Sequence, residues 1–215
     1  EKLHKSFLAI VEQPGANHAQ LGQIYASAAV ACRYVGEESR VGEYLQQAEY
    51  HSLQLKNDFD YIDTLRSLTT ANLILGRNKE AETGALEGLS IGLRHSAYYP
   101  TFSILTSLTE LYVGESRHAD AAFFVNEASF YVQADVSLPR RELVLYHYFR
   151  HLLCEDSEYC VPSDEDDPAR AKTLLTEEIA ALGNPRLAKN LLSLRSFGKV
   201  AAATGVDAPE LASAD

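Results

Sequence analysis

The stretch DYIDTLRSLTTANLILGRNKEAETGALEGLSIGLRHSAYYP, from Asp60 to Pro100, decides the fold. Two segments with apolar residues at helical spacing flank Gly76-Arg77-Asn78, which predicts a helix, a tight turn and a second helix. A shift of 40 residues in either direction brings back the same kinds of residue. A fixed period of this size is typical of a helical solenoid, whose repeats bury their apolar faces by stacking. We therefore predict an all-α superhelical solenoid of antiparallel helix pairs.

Two local phrases recur at this spacing. Ser67-Leu68-Thr69 matches Ser107-Leu108-Thr109, and Arg77 with Glu80-Ala81 matches Arg117 with Asp120-Ala121. Small or slender residues also recur where the two helices of a pair must approach closely. They are Ala29, Thr69 and Thr109 on the first helices, and Val41, Ala81 and Ala121 on the second.

The period divides the chain into repeats. We predict one repeat domain over residues 1–215, with a partial repeat at 1–16, repeats at 17–58, 59–100, 101–138 and 139–183, and a terminal helix at 184–204. The fourth repeat is irregular, because an acidic loop from Glu155 to Asp167 interrupts it. Its second helix is expected to begin with Asp167 as the N-cap and Pro168 at the first helical position.

Other helix boundaries carry their own patterns. Asn17 followed by Gln20 predicts a capping box at the start of a helix. Gly183-Asn184-Pro185 predicts a helix stop, a cap and a new start, after which one helix is expected from Arg186 to about Thr204.

Composition excludes several classes of protein. The net charge of −11 argues against a nucleic-acid surface, which needs clustered Lys and Arg. No apolar run reaches the length of about 18 residues that a membrane span needs. The chain begins at Glu1 and has no Met, so we expect it to be part of a larger protein.

Cysteine usage leaves the compartment open. Cys154 and Cys160 are close enough in sequence to form a disulfide in an oxidising compartment, which would indicate a periplasmic or extracellular protein. Two reduced thiols fit a cytoplasmic protein, which we slightly favour.

The pattern Leu108-Thr109-x-x-Tyr112, followed by Ala121-x-x-x-Val125-x-x-Ala128, resembles the tetratricopeptide repeat (TPR). The period is 40 residues where that repeat has about 34, and the chain has no Trp. Long repeats of this kind look like those of maltose-regulon-type transcription activators and peptide-pheromone regulators. HEAT-like repeats share the period without the Gly-Arg-x-x-Glu-Ala turn phrase, and they rank second.

The resemblance implies that the first helix of each pair lines a concave groove. The groove residues that it implies are Gln23, Arg33, Asp63, Arg66, Thr70, Ser103, Thr106, Glu110, Tyr146 and Arg150. Three of these are arginines in an otherwise acidic chain, and arginines on a rigid face can hold a carboxylate or an acidic peptide. The alternative is that they pair with Asp63 and Glu110 on neighbouring helices and bind nothing.

Three residues of the fourth repeat form a candidate metal site. His147, His151 and Cys154 share one helix face, and their side chains suit zinc, with Cys160 or a loop carboxylate as a fourth ligand. Structural zinc sites usually combine two short ligand motifs, and the sequence has one. We therefore expect these residues to serve packing, with no metal and no cofactor.

No nucleophile elbow, phosphate-binding glycine loop or paired metal-binding motif is present, so we do not expect an enzyme. The predicted function is a non-catalytic protein- or peptide-binding module, as a sensor, regulatory part or scaffold of a larger signalling protein. The alternatives are a small-molecule-sensing region of a transcription activator and a self-assembling scaffold, which would form homo-oligomers. Neither nucleic acid nor membrane is an expected partner.

Overall fold

The computed structural model describes residues 17–134, 137–155, 158–159 and 166–207, without the side chains of residues 34 and 35. All regular secondary structure in these ranges is helical, which confirms the all-α prediction. The predicted partial repeat at 1–16 lies outside the described residues.

Ten helices occupy the described part of the chain. They are α1 (His18–Val35), α2 (Glu38–Leu53), α3 (Asp58–Ile74), α4 (Asn78–His95), α5 (Tyr98–Gly114), α6 (His118–Gln133), α7 (Arg140–Cys154), α8 (Asp167–Leu182), α9 (Pro185–Leu192) and α10 (Phe197–Thr204).

The chain divides into two compact units, Glu1–Ile104 and Leu105–Asp215, called here the first and the second unit. In the first unit α1 packs on α2, and α3 packs on α4, as antiparallel neighbours joined by short turns would. Helix α1 also packs on α3, so successive first helices are in contact. In the second unit α7 packs on α8, and α10 packs on both.

Small residues allow the close helix contacts of the first unit. Ala29, Thr69 and Ala81 are buried, as the recurring small positions predict. Gly92 is tighter still: a Cβ built there would lie 2.2 Å from Thr101 Oγ1 and 2.6 Å from Ile62 Cδ1. Real Cβ atoms do not approach other atoms that closely, so α4 can hold this position only with glycine.

The core of the second unit forms around α7. Leu145 and Phe149 of α7 are buried with Leu175 of α8 and with Phe197 and Val200 of α10. Phe149 occupies a position that is small in the other repeats. The larger Phe149 ring needs additional apolar packing partners. Helix α10 supplies them, because it packs on both α7 and α8.

The predicted caps are mostly confirmed. Asn17 and Gln20 form the capping box, with each side chain bonded to the other residue's backbone N–H. Gly183 ends α8 in the left-handed conformation, and the Asn184 side chain caps α9. The predicted cap of α8, Asp167, is wrong by one residue. Its N-cap is Asp166, which accepts a hydrogen bond from the Ala169 N–H at 3.1 Å.

The single terminal helix predicted from Arg186 is wrong. Two helices occupy that stretch, and the residues between Leu192 and Phe197 break them apart. Arg195 lies in this break with φ of 48°, a left-handed conformation that is uncommon for a residue with a side chain. The contacts of its guanidinium, described below, account for the break.

Candidate functional site

A polar ladder crosses the predicted groove face of the first unit. Gln23 of α1 donates from Nε2 to Asp63 Oδ2 of α3 at 2.6 Å. Arg66, one turn further along α3, donates from Nε to Asp63 Oδ1 at 2.8 Å. Asp63 therefore binds both neighbours, and three of the predicted groove residues form one hydrogen-bonded group on half-buried positions.

Arg66 still has hydrogen-bond donors available after its contact with Asp63. Its guanidinium carbon lies 5.0 Å from the centre of the Tyr99 ring on α5, a cation–π contact that holds the planar group against α5. Its two terminal Nη groups make no hydrogen bond to the residues that the structure describes. Since a guanidinium has five N–H donors, Arg66 can still bind a carboxylate.

Thr70 follows Arg66 by one helical turn on the same face of α3. Its Oγ1 has no hydrogen-bond partner among the described residues, although the atom is buried. A buried hydroxyl without a partner is costly, and this one is enclosed by the protein rather than open to a ligand.

The remaining predicted groove residues of the first unit lie in different surroundings. Arg33 is exposed at the end of α1 and pairs with Glu38 at the start of α2. Ser103 is fully buried within α5. The candidate site is therefore the ladder itself, Gln23, Asp63 and Arg66.

In the second unit, Glu110 belongs to a buried ion cluster. Arg195 donates to Glu110 Oε2 at 2.5 Å, to Glu142 Oε2 at 3.3 Å and to Ser107 Oγ at 3.3 Å. Ser196 donates to the other oxygen of Glu110 at 2.8 Å. Burial alone would lower the pKa of Arg195, but Glu110 and Glu142 more than compensate and raise it. The backbone break between α9 and α10 carries this guanidinium to its two carboxylates.

A second buried cluster contains Tyr146 and Arg150 of α7, two further predicted groove residues. Arg150 binds Asp167 with two hydrogen bonds, Nε to Oδ2 at 2.7 Å and Nη2 to Oδ1 at 2.5 Å. Its Nη1 donates to the Tyr146 hydroxyl at 2.8 Å. His147 Nδ1 lies 2.8 Å from Asp167 Oδ1. The carboxylate that Arg150 holds thus comes from α8 of the same unit. Thr106, on α5, is also buried.

Sequence reasoning missed the parts played by Asp167 and Arg195. The sequence predicts Asp167 as a cap because it precedes Pro168, yet the adjacent Asp166 supplies the cap. The sequence also predicts a regular helix at Arg195. Both positions owe their roles to partners on other helices, so local patterns in the sequence carry no indication of them.

The predicted metal candidates have other contacts. His147 is 2% exposed and lies against Asp167, and His151 Nε2 lies 3.6 Å from Glu155. Within the described residues no group of three His, Cys, Asp or Glu side chains could hold a metal ion. Cys160, the proposed fourth ligand and possible disulfide partner of Cys154, is outside the described residues.

Comparison with protein-family models, curated proteins and solved structures gave no match. In the described ranges, no helix has both the length and the apolar character to cross a membrane. The geometry of the ladder is therefore the basis on which a function can be proposed.

Proposed function

We propose that the chain is a non-catalytic binding module of TPR-like helix pairs, and that the ladder face of its first unit holds an acidic segment of a partner protein or peptide. The finer fold that this implies is a superhelical solenoid of 40-residue repeats. The contact of α1 with α3 supports stacking of successive first helices, and the Gln23–Asp63 bond joins positions 40 residues apart.

The proposal rests on how the guanidinium of Arg66 is held. The Nε atom of Arg66 is hydrogen-bonded to Asp63, and the contact with the Tyr99 ring restricts the orientation of the guanidinium plane. Both Nη groups are available to a ligand. A guanidinium that is already oriented loses little conformational entropy when it binds a carboxylate with two hydrogen bonds. Side-chain exposure of 18% for Arg66 also lowers the competing solvation by water.

Thr70 lies one helical turn from Arg66 on the same face of α3, but its Oγ1 is enclosed by the protein. The guanidinium of Arg66 is therefore the contact point of this proposal, and it favours a segment with an acidic residue. A signalling or scaffold role of such a module would depend on the domains fused to it and on the partners that it binds.

The proposal is tested by selecting peptides from a random displayed library on the purified chain. We expect enrichment of sequences with Asp or Glu, and a selected peptide should bind Arg66→Ala at least about tenfold more weakly, since hydrogen bonds to charged groups contribute about 1.5–3 kcal/mol. Arg66→Lys should recover only part of the affinity, because an ammonium cannot form the two parallel hydrogen bonds.

Arg94→Ala provides the matched control. Arg94 lies on α4, is exposed and donates to the Ser90 carbonyl, so its loss removes the same charge from a different face. Equal affinity of the selected peptide for Arg66→Ala and the unchanged chain would contradict the proposal. Equal weakening by Arg94→Ala and Arg66→Ala would also contradict it, because it would indicate a general charge effect.

A further inference from the structure

Two histidines meet between α1 and α2 of the first unit. His18 Nδ1 lies 2.8 Å from His51 Nδ1, and the centres of the two rings are 5.1 Å apart. His18 is exposed and His51 is half-buried, so the pair lies at the surface. The two residues are 33 positions apart in the chain, and no short ligand motif in the sequence indicates the pair.

The packing of α1 on α2 holds the two rings in place. His51 stacks on the Tyr25 ring of α1, with ring centres 5.5 Å apart and planes 12° from parallel. Gly22 follows His18 by one turn on the same face of α1. A Cβ built on Gly22 would lie 3.8 Å from His51 Cβ and 3.6 Å from the Ala48 carbonyl oxygen, which are ordinary contact distances. The backbones of the two helices therefore approach closely at the level of His51.

The protonation of the two rings decides what they can bind. A neutral imidazole has one nitrogen that donates and one that accepts, so in the Nδ1–Nδ1 hydrogen bond one of the two Nδ1 atoms carries a proton. Neither Nε2 atom is hydrogen-bonded to a residue that the structure describes. Both rings can therefore carry their proton on Nε2. Two unprotonated Nδ1 atoms then lie side by side, and an unprotonated imidazole nitrogen is the form that binds a metal ion.

The separation of the two nitrogens favours one coordination geometry. Two nitrogens that are each about 2.0 Å from an ion lie about 2.8 Å apart at a right angle and about 3.3 Å apart at the tetrahedral angle. Right angles occur in square-planar and octahedral coordination, which Cu²⁺ and Ni²⁺ adopt. The net charge of −11 also raises the concentration of cations near the chain.

We propose that His18 and His51 form a two-histidine site for a divalent transition-metal ion with right-angle coordination, Ni²⁺ or Cu²⁺. The two Nδ1 atoms take adjacent positions on the ion. Water takes the other positions, because within the described residues no third His, Cys, Asp or Glu side chain completes a metal-holding group. The proton of the donating ring moves from Nδ1 to Nε2 through solvent, so binding to the two neutral rings needs no net loss of a proton.

The ion links α1 to α2 and stabilises the folded first unit, since the unfolded chain does not hold the two rings together. This site is separate from the ladder. Gln23 follows His18 by five residues, which places the two side chains on different sides of α1. Metal binding here requires no contact with the acidic partner of the ladder face.

Ni²⁺ is the test ligand, titrated into the purified chain by calorimetry at about pH 7.5, where imidazole is neutral. We expect one saturable binding step, in which the imidazole resonances of His18 and His51 change before those of the other histidines. Mg²⁺ prefers oxygen ligands, so an excess of Mg²⁺ should not displace Ni²⁺. Ni²⁺ should also raise the midpoint of thermal unfolding.

Three variants separate this site from other metal-binding groups of the chain. His18→Ala removes one ligand at an exposed position, where the fold should tolerate it, and should weaken Ni²⁺ binding at least about tenfold. His51→Phe keeps a ring against Tyr25 without the nitrogens, and it should have the same effect. His118→Ala is the matched control: it removes an exposed histidine of α6, in the second unit, and should leave the affinity and the rise in the unfolding midpoint unchanged.

Absence of saturable Ni²⁺ binding to the unchanged chain would overturn the inference. So would equal affinities of the unchanged chain and His18→Ala, because they would show that Ni²⁺ binds to other groups. Arg66→Ala should leave the Ni²⁺ affinity unchanged, and His18→Ala should leave the peptide affinity unchanged. Failure of the histidine site is therefore distinguishable from failure of the ladder.

Discussion

Gln23 and Asp63 are 40 residues apart, one full repeat, and are joined by a hydrogen bond of 2.6 Å between Nε2 and Oδ2. The bond connects the first helix of one repeat to the first helix of the next. It also fixes the carboxylate that orients Arg66, whose Nε donates to the other oxygen of Asp63. The packing of α1 on α3 and the orientation of Arg66 thus depend on the same side chain.

A double-mutant cycle measures this connection. Gln23→Ala and Asp63→Ala should each lower the free energy of unfolding, and the coupling energy should be about 0.5–1.5 kcal/mol, as for a typical hydrogen bond at half-buried positions. Urea denaturation of the four proteins gives the value. Pairing Gln47→Ala, an exposed position on α2, with Asp63→Ala serves as the control and should give purely additive effects. Additivity in the Gln23–Asp63 cycle would contradict the ladder.

Adjacent aspartates at the start of α8 should differ in their effects on stability. Asp167→Ala leaves Arg150 buried without its carboxylate, and the loss should be about 3–5 kcal/mol. Asp166→Ala removes only an exposed helix cap and should cost about 1 kcal/mol. Denaturant unfolding of the two variants makes the comparison. Equal losses would contradict the buried position of Asp167.

Two glycines should respond in opposite directions to alanine. Gly92→Ala places a Cβ against Thr101 and Ile62, so it should destabilise the chain by about 1–3 kcal/mol. Gly42→Ala on α2 meets nothing within 4 Å and should stabilise the helix by about 0.5–1 kcal/mol. Thermal unfolding followed by circular dichroism distinguishes the two. A stabilised Gly92→Ala would show that α4 and α5 do not approach as described.

The stability of the first unit should fall in mild acid through His51. Burial, followed by the charge of His18, lowers the pKa of His51 below 6.5 in the folded chain. The unfolded chain therefore binds a proton at a pH where the folded chain does not, so stability is complete above about pH 6.5 and decreases as the pH falls. Part of this decrease should disappear in His51→Gln. Imidazole resonances should report a pKa below 6.5, and a value above 6.5 would contradict the assignment.

Much of the helical layout could be predicted from sequence, because it depends on local chemistry. Asn17 and Gln20 contain a capping box within four residues, and Gly183-Asn184-Pro185 contains a stop and a start within three. The 40-residue period identified the buried small positions, Ala29 and Ala81 among them.

The polar clusters could not be predicted in the same way. Arg195 meets Glu110 across 85 residues, and Arg150 meets Asp167 across an insertion. No local pattern distinguishes such an arginine from an exposed one.

The most direct test of the proposed function is the ratio of dissociation constants of one selected acidic peptide for Arg66→Ala and for the unchanged chain, measured by isothermal titration calorimetry. The ladder predicts a ratio of at least about ten, with the Arg94→Ala ratio near one. A ratio near one for Arg66→Ala, with both variants folded, would contradict a binding site on the ladder face.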